Sequence, residues 1–143
     1  EAGEEKEKDP GFLKGRRIML VEDNELNREI AYELLSESGL IVDVAENGQE
    51  AIKLLGIRPE NYYELIFMDI QMPVMNGYEA TATIRAGESD YWKTIPVIAM
   101  TANVFQEDES RAAECGMSDY VTKPIDMNVI YSVLEKWLRG QKG

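Results

Sequence analysis

The chain contains no histidine and a single cysteine, Cys115, and no apolar stretch approaches the roughly 20 residues that cross a bilayer. Each absence removes a class of chemistry. Without histidine there is no Ser/His or Cys/His nucleophile and no imidazole metal site, and a lone cysteine forms neither an internal disulfide nor a thiolate cluster. Cys115 is expected to be a small buried side chain near a helix end rather than a reactive thiol. No charged-then-apolar leader opens the sequence, so the domain is expected in the cytoplasm, without direct membrane contact. Positive charge is scarce too: 27 acidic against 15 basic residues give a formal net charge of −12, which disfavours non-specific nucleic-acid binding. Whatever chemistry the chain performs runs on carboxylates, hydroxyls and amines.

With 143 residues, 44% apolar and 29% charged, the composition fits one soluble globular domain. Glu1 to Lys14 mixes Glu, Lys, Asp, Gly and Pro with almost no apolar content, too little to repay the entropy of ordering. Residues 1–15 therefore read as a flexible charged linker, and residues 16–140 as the domain.

From Arg17 onward, short apolar runs alternate with stretches of helical period, the pattern of parallel strands joined by crossover helices. The runs are Ile18–Val21, Ile41–Val44, Leu65–Met68, Pro96–Met100 and a weaker one over Met117–Val121. The first, third and fourth are apolar on successive residues, so both their faces should be covered; the second alternates more and belongs nearer an edge. Helices are expected near 25–38, 48–56, 77–86, 104–114 and 127–138. Leu26, Ile30, Leu34 and Leu35 are expected to form one core stripe, and Ile130, Val133, Leu134, Trp137 and Leu138 another. Asn24 and Asp126 stand where helix caps belong, Gly39 and Gly116 where helices should stop. The fold class is α/β: a doubly wound, open, five-stranded parallel sheet.

In such a sheet, ligands bind beyond the carboxyl ends of the strands. The residues there are Glu22 and Asp23 after the first run, Asp69 after the third, Thr101 after the fourth, and Thr122-Lys123-Pro124 after the fifth. Each has a plain structural reading as a solvated turn, a cap or an exposed charge. Their coincidence on one rim is harder to explain that way. Crowded carboxylates repel unless a cation neutralises them, and hard oxygen ligands suit Mg²⁺ or Mn²⁺, which keep waters and a phosphate oxygen in their coordination shell. An Asp nucleophile beside such a metal, an ammonium for phosphoryl oxygens and a hydroxyl donor together fit phosphoryl transfer.

The strings Leu20-Val21-Glu22-Asp23-Asn24, Met68-Asp69-Ile70-Gln71-Met72-Pro73-Val74-Met75-Asn76-Gly77, Met100-Thr101-Ala102 and Tyr120-Val121-Thr122-Lys123-Pro124 resemble receiver domains of two-component signalling. More narrowly, they resemble the receivers of hybrid sensor histidine kinases. The resemblance spans about Arg17 to Leu138. It implies a flavodoxin-like topology with strand order 2-1-3-4-5 and Asp69 as the phosphoacceptor. Asp23, Asp69 and the backbone carbonyl of Gln71 become direct metal ligands, with Glu22 acting through a water. Lys123 is implied to contact the phosphoryl group across a cis Lys123–Pro124 bond, and Thr101 and Tyr120 to be the pair that reorients on phosphorylation. Gln71 and Asn103 match positions lining the path of the hydrolytic water. The implied donor is a phosphohistidine on a histidine kinase or a histidine phosphotransfer domain; no oligomeric state is implied. Glu22 departs from the two aspartates common in the family.

Three rivals differ in kind. A phosphohydrolase of the haloacid-dehalogenase type needs a second Asp two residues after its nucleophile, where Gln71 stands. A flavodoxin-like cofactor binder needs a Ser/Thr/Gly-rich phosphate loop after the first strand, where Glu22-Asp23-Asn24 would repel a phosphate lacking metal. A degenerate docking receiver would not retain all five functional positions.

Overall fold

The structure, a computed structural model, describes residues 11–102 and 109–139. Strands β1 (Arg17–Val21), β2 (Ile41–Ala45), β3 (Leu65–Asp69), β4 (Val97–Thr101) and β5 (Asp119–Thr122) alternate with helices α1 (Glu25–Glu37), α2 (Gly48–Ile57), α3 (Gly77–Arg85), α4 (Asp90–Thr94), α5 (Glu109–Cys115) and α6 (Met127–Leu134). A π-helical turn, Glu135–Arg139, extends α6. All strand pairs are parallel and the order is β2-β1-β3-β4-β5. This is the expected doubly wound sheet, with β2 at an edge.

The unbroken apolar runs are explained by what covers each face. Side chains alternate across a strand. Ile18, Leu20, Leu65, Phe67, Ile98 and Met100 point to one side, where they meet Ala31 and Leu35 of α1 and Ile130 and Leu134 of α6. Met19, Val21, Ile66, Met68 and Val97 point to the other, against Ala51 and Leu55 of α2 and Ala80 and Ile84 of α3. Phe67 and Ile66 are fully buried, and each such side chain contributes about 2 kcal/mol through removal from water. Asn24 and Asp126 cap α1 and α6 as expected, accepting from the backbone N–H groups of Asn27 and Asn128. Gly39 and Gly116 follow α1 and α5 with φ of +102° and +101°.

Three differences from the sequence reading have physical causes. Leu26 and Ile30 are 64% and 51% exposed. At about 100° per residue they stand about 180° and 140° around the helix from fully buried Leu35, so the four apolar positions never formed one stripe. Phe12 and Leu13, assigned to the linker, are buried in the core beside α6. Arg16 holds this entry segment by donating from Nε to the Phe12 carbonyl at 2.7 Å and pairing through Nη1 with Glu64 at 2.7 Å. The short helix α4 was not expected; Ser89 caps it, accepting from Trp92 N–H. The helix expected over 104–114 is seen as Glu109–Cys115, residues 103–108 lying outside the described residues, as do residues 1–10 of the expected linker.

Candidate functional site

Strand register builds the site. Val21 pairs with Met68, so Glu22 emerges level with Asp69, and Asp69 is level with Met100. Thr101 pairs with Thr122, and its carbonyl accepts the N–H of Lys123 at 2.8 Å. Residues distant in sequence thereby reach one rim. The Lys123–Pro124 bond is cis. Lys123 Nζ then lies 3.1 Å from Asp69 Oδ1 and 3.2 Å from Glu22 Oε1.

Glu22 is held at both oxygens, since Asn24 N–H donates to its Oε2 at 3.1 Å. Asp69 is not: its Oδ2 is buried and has no hydrogen-bond partner among the described residues. Asp23 is exposed beside them, and one oxygen from each of Glu22, Asp23 and Asp69 lies within 4.8 Å of the others. Asp69, buried and with one oxygen lacking a hydrogen-bond partner among the described residues, together with the carboxylates of Glu22 and Asp23 makes a donor set for a hard divalent cation, so the residues fit magnesium or manganese.

The electrostatics agree with an unneutralised site. Burial, and next the Glu22 carboxylate, push Asp69 up to about 7 against the pull of Lys123. For Lys123, burial alone would lower the ammonium, yet the two carboxylates outweigh it and hold it above its ordinary value.

The loop after Asp69 is tightly constrained. Met75 N–H donates to the Pro73 carbonyl at 2.7 Å around Val74, whose φ is +72°, a γ-turn with a β-branched residue at its tip. Gly77 opens α3 directly behind Asp69. A Cβ there would collide with the Asp69 carbonyl oxygen, so only glycine lets α3 approach the strand so closely.

Gln71 is exposed at the rim, Thr101 is buried beside the site, and Tyr120 is 42% exposed on β5. Asn103 lies outside the described residues. Two contributors escaped the sequence reading. Arg28, on α1, donates from Nη1 to the backbone carbonyls of Glu22 and Asp23 at 3.0 and 3.4 Å and so braces the acidic turn. Its placement one helical turn past Asn24 was the available signal. A 330 Å³ cavity beside the site, lined by Ile30, Ala31, Met100, Ala102, Pro124 and Ile125, with Glu22 and Lys123 also in its wall, arises from tertiary packing and has no sequence signature.

Residues 18–135 match the model of the response regulator receiver domain. The chain belongs to the receiver domain family. As a receiver it is 35% identical over 143 residues to the hybrid signal transduction histidine kinase L of Dictyostelium discoideum, covering 99% of this chain and 8% of that protein. It is 37% identical over 146 residues to the probable histidine kinase 5 of Oryza sativa subsp. japonica, covering 90% of this chain and 12% of that protein. The receiver thus spans a small part of these relatives. Among solved structures, the receiver domain of a sensor histidine kinase from Pseudomonas aeruginosa PAO1, with magnesium coordinated in its active-site cleft, superposes with a TM-score of 0.77 at 34% identity, over 86% of this chain and 97% of that one. The receiver domain of the Saccharomyces cerevisiae response regulator Ssk1, crystallised with the histidine phosphotransfer protein Ypd1, gives 0.78 at 31% identity over 90% and 92%. Among the described residues no helix is long and apolar enough to cross a membrane.

Proposed function

We propose that this receiver accepts a phosphoryl group on Asp69 from a phosphohistidine of a histidine kinase or a histidine phosphotransfer domain, working in the cytoplasm as a signalling module with no turnover of an external substrate. The observation that carries this reading is the geometry of Asp69: Oδ1 anchored by Lys123, Oδ2 buried without a hydrogen-bond partner among the described residues, and the carboxylate grouped with those of Glu22 and Asp23. A carboxylate oxygen of Asp69 is the nucleophile. Its P–O bond forms as the P–N bond of the donor breaks, and the imidazole leaves with the electron pair and takes up a proton. A divalent ion held by Asp23, Asp69 and the Gln71 carbonyl, with Glu22 acting through a water, supplies charge neutralisation when bound. The doubly held Glu22 supports that division of labour, because neither of its oxygens is idle. Lys123 remains as a point charge for a phosphoryl oxygen once Oδ1 is part of the acyl phosphate.

Acetyl phosphate with Mg²⁺ is expected to label the native chain at Asp69, located by mass spectrometry, and to leave Asp69→Asn unlabelled. Labelling that persists in Asp69→Asn, or in excess chelator, would overturn the assignment. Lys123→Ala is expected to keep metal affinity while responding poorly to phosphorylation.

For the donor, Leu26 and Ile30 supply an exposed apolar face on α1 beside the cavity at Lys123, suited to an amphipathic helix that carries the phosphohistidine. For the output, Thr101 and Tyr120 are the two-state pair: the hydroxyl moves toward the phosphoryl oxygen and the ring of Tyr120 enters the vacated space, altering the face of α5, β5 and α6. A pure relay, docking through α1 alone, would leave that face silent in amide shifts on adding beryllofluoride. Exchange of Gln71 and Asn103 is expected to alter the decay of the phosphorylated form without preventing its formation.

A further inference from the structure

Asp119 begins β5, one residue before Tyr120, and its carboxylate faces two ways. Oδ1 accepts the backbone N–H of Tyr120 at 2.9 Å. Oδ2 accepts the indole Nε1–H of Trp137 at 2.9 Å, with Lys136 Nζ at 3.5 Å from the same oxygen. Both Lys136 and Trp137 belong to the π-helical turn that extends α6. Such turns are rare, appear mostly as single insertions in α-helices and are frequent where function bends a helix out of its regular ladder.

The far end of the same turn reaches the chain's entry segment. The Arg139 guanidinium lies 4.0 Å over the Phe12 ring, the Arg16 guanidinium lies 4.5 Å from the same ring, and Tyr131 meets it edge-on at 6.2 Å. Contacts therefore run from Tyr120 through Asp119 to Trp137, and the backbone of the π turn joins Trp137 to Arg139, which reaches Phe12.

We propose that Asp119 is a positioning residue that ties the backbone at Tyr120 to the π turn of α6 and, through that turn, to the Phe12–Arg16 entry segment, so that the phosphoryl state of Asp69 is expressed where the polypeptide enters and leaves the domain. This rests on the receiver reading and on Tyr120 as a two-state element, since coupling requires a part with two arrangements that both ends bias. A carboxylate bonded to a strand N–H on one oxygen and an indole on the other cannot keep both bonds when only one of them moves. The π turn, outside the regular ladder of α6, is the part that yields. Phe12, held between two guanidiniums, follows Arg139.

The chain has two tryptophans, Trp92 and Trp137, and Trp92 packs on the opposite face of the sheet. Two indole N–H signals therefore give a probe and an internal control. On adding Mg²⁺ and beryllofluoride to the full chain, the Trp137 indole and the amides of Phe12–Arg16 are expected to shift while the Trp92 indole stays. In Asp119→Ala, the amides beside Asp69 still shift but Trp137 and Phe12 no longer respond; Asp119→Asn, which keeps a carbonyl oxygen, restores part of the response. Trp137→Phe removes the indole donor from the other side and uncouples Phe12 as well, so a poorly folding Asp119→Ala does not decide the matter alone. A Tyr120 response with Trp137 and Phe12 silent in the native chain would overturn the proposal, as would a full Phe12 response in both Asp119→Ala and Trp137→Phe. Silence everywhere, including beside Asp69, would overturn the assignment of Asp69 as phosphoacceptor and the proposal with it.

Discussion

The two ends of the sheet use the same kinds of side chain to opposite effect. At the carboxyl ends of the strands, Glu22 and Asp69 share one ammonium, Lys123, and an oxygen of Asp69 is left without a hydrogen-bond partner among the described residues. At the amino ends of β1 and β3 and the middle of edge strand β2, each acid meets a base, although Arg58 Nε has no hydrogen-bond partner among the described residues. Arg16 pairs with Glu64, and Arg58 meets Asp43 at 3.2 Å while the Tyr63 hydroxyl donates to the same Asp43 oxygen at 2.6 Å. The Tyr91 hydroxyl donates to the Tyr63 carbonyl and accepts its N–H, both at 2.9 Å. Burial and the Asp43 carboxylate raise the Tyr63 hydroxyl pKa, so it stays protonated as a donor. Matched charge holds a fold together; mismatched charge is a site waiting for a ligand.

That contrast breaks first at Asp69. Asp69→Asn should remove all labelling by acetyl phosphate, whereas substitutions at the amino ends should leave labelling intact. Phe12→Ala is the largest stability change expected, about 3 kcal/mol from loss of a buried ring and the cavity behind it, read by urea unfolding with labelling of the folded fraction unchanged.

Next comes a stabilising substitution at the site. In chelator, the folded chain holds a proton on Asp69 up to about 7, which the unfolded chain releases from its ordinary value of 3.8. Native Asp69 therefore costs stability progressively as pH rises through that window, and the cost is complete above it. Asp69→Asn lacks the penalty. In chelator it should match the native chain at pH 3.5, and exceed it at pH 8 by on the order of 2 kcal/mol; saturating Mg²⁺ should erase the difference. No gain at pH 8 would mean that Lys123 already balances both carboxylates. Smallest is Tyr63→Phe, which removes one donor from Asp43 while Arg58 remains. A loss of about 1 kcal/mol is expected, with labelling unchanged.

The sheet and the rim were legible because they rest on local patterns: unbroken apolar runs for strands covered on both faces, and the residue types at the ends of those runs. What was not legible depended on tertiary placement. Leu26 and Ile30 are apolar at plausible helical spacing, but only the packing of Ala31 and Leu35 against the sheet shows which arc of α1 is buried. Phe12 and Leu13 are two apolar residues amid polar ones, too few to form a pattern, and they count only because α6 ends where they arrive. Helix α4, with 5 residues, is shorter than two turns and offers no period to read. Asp119 looks like any acid beside a strand until Trp137 is found on its other oxygen.

The entry segment also changes where the unit is divided from its neighbours. Similarity to the family model begins at residue 18, yet among the described residues the buried apolar side chains begin at Phe12. Recombination between multidomain proteins, natural or deliberate, that joined chains at residue 17 would transplant every carboxylate of the site and still leave Phe12 and Leu13 behind. The recipient would inherit a receiver with its chemistry in place and an unfilled seam between the sheet and α6. A junction placed before Gly11 keeps Phe12 and Leu13 with the sheet and α6 they pack against.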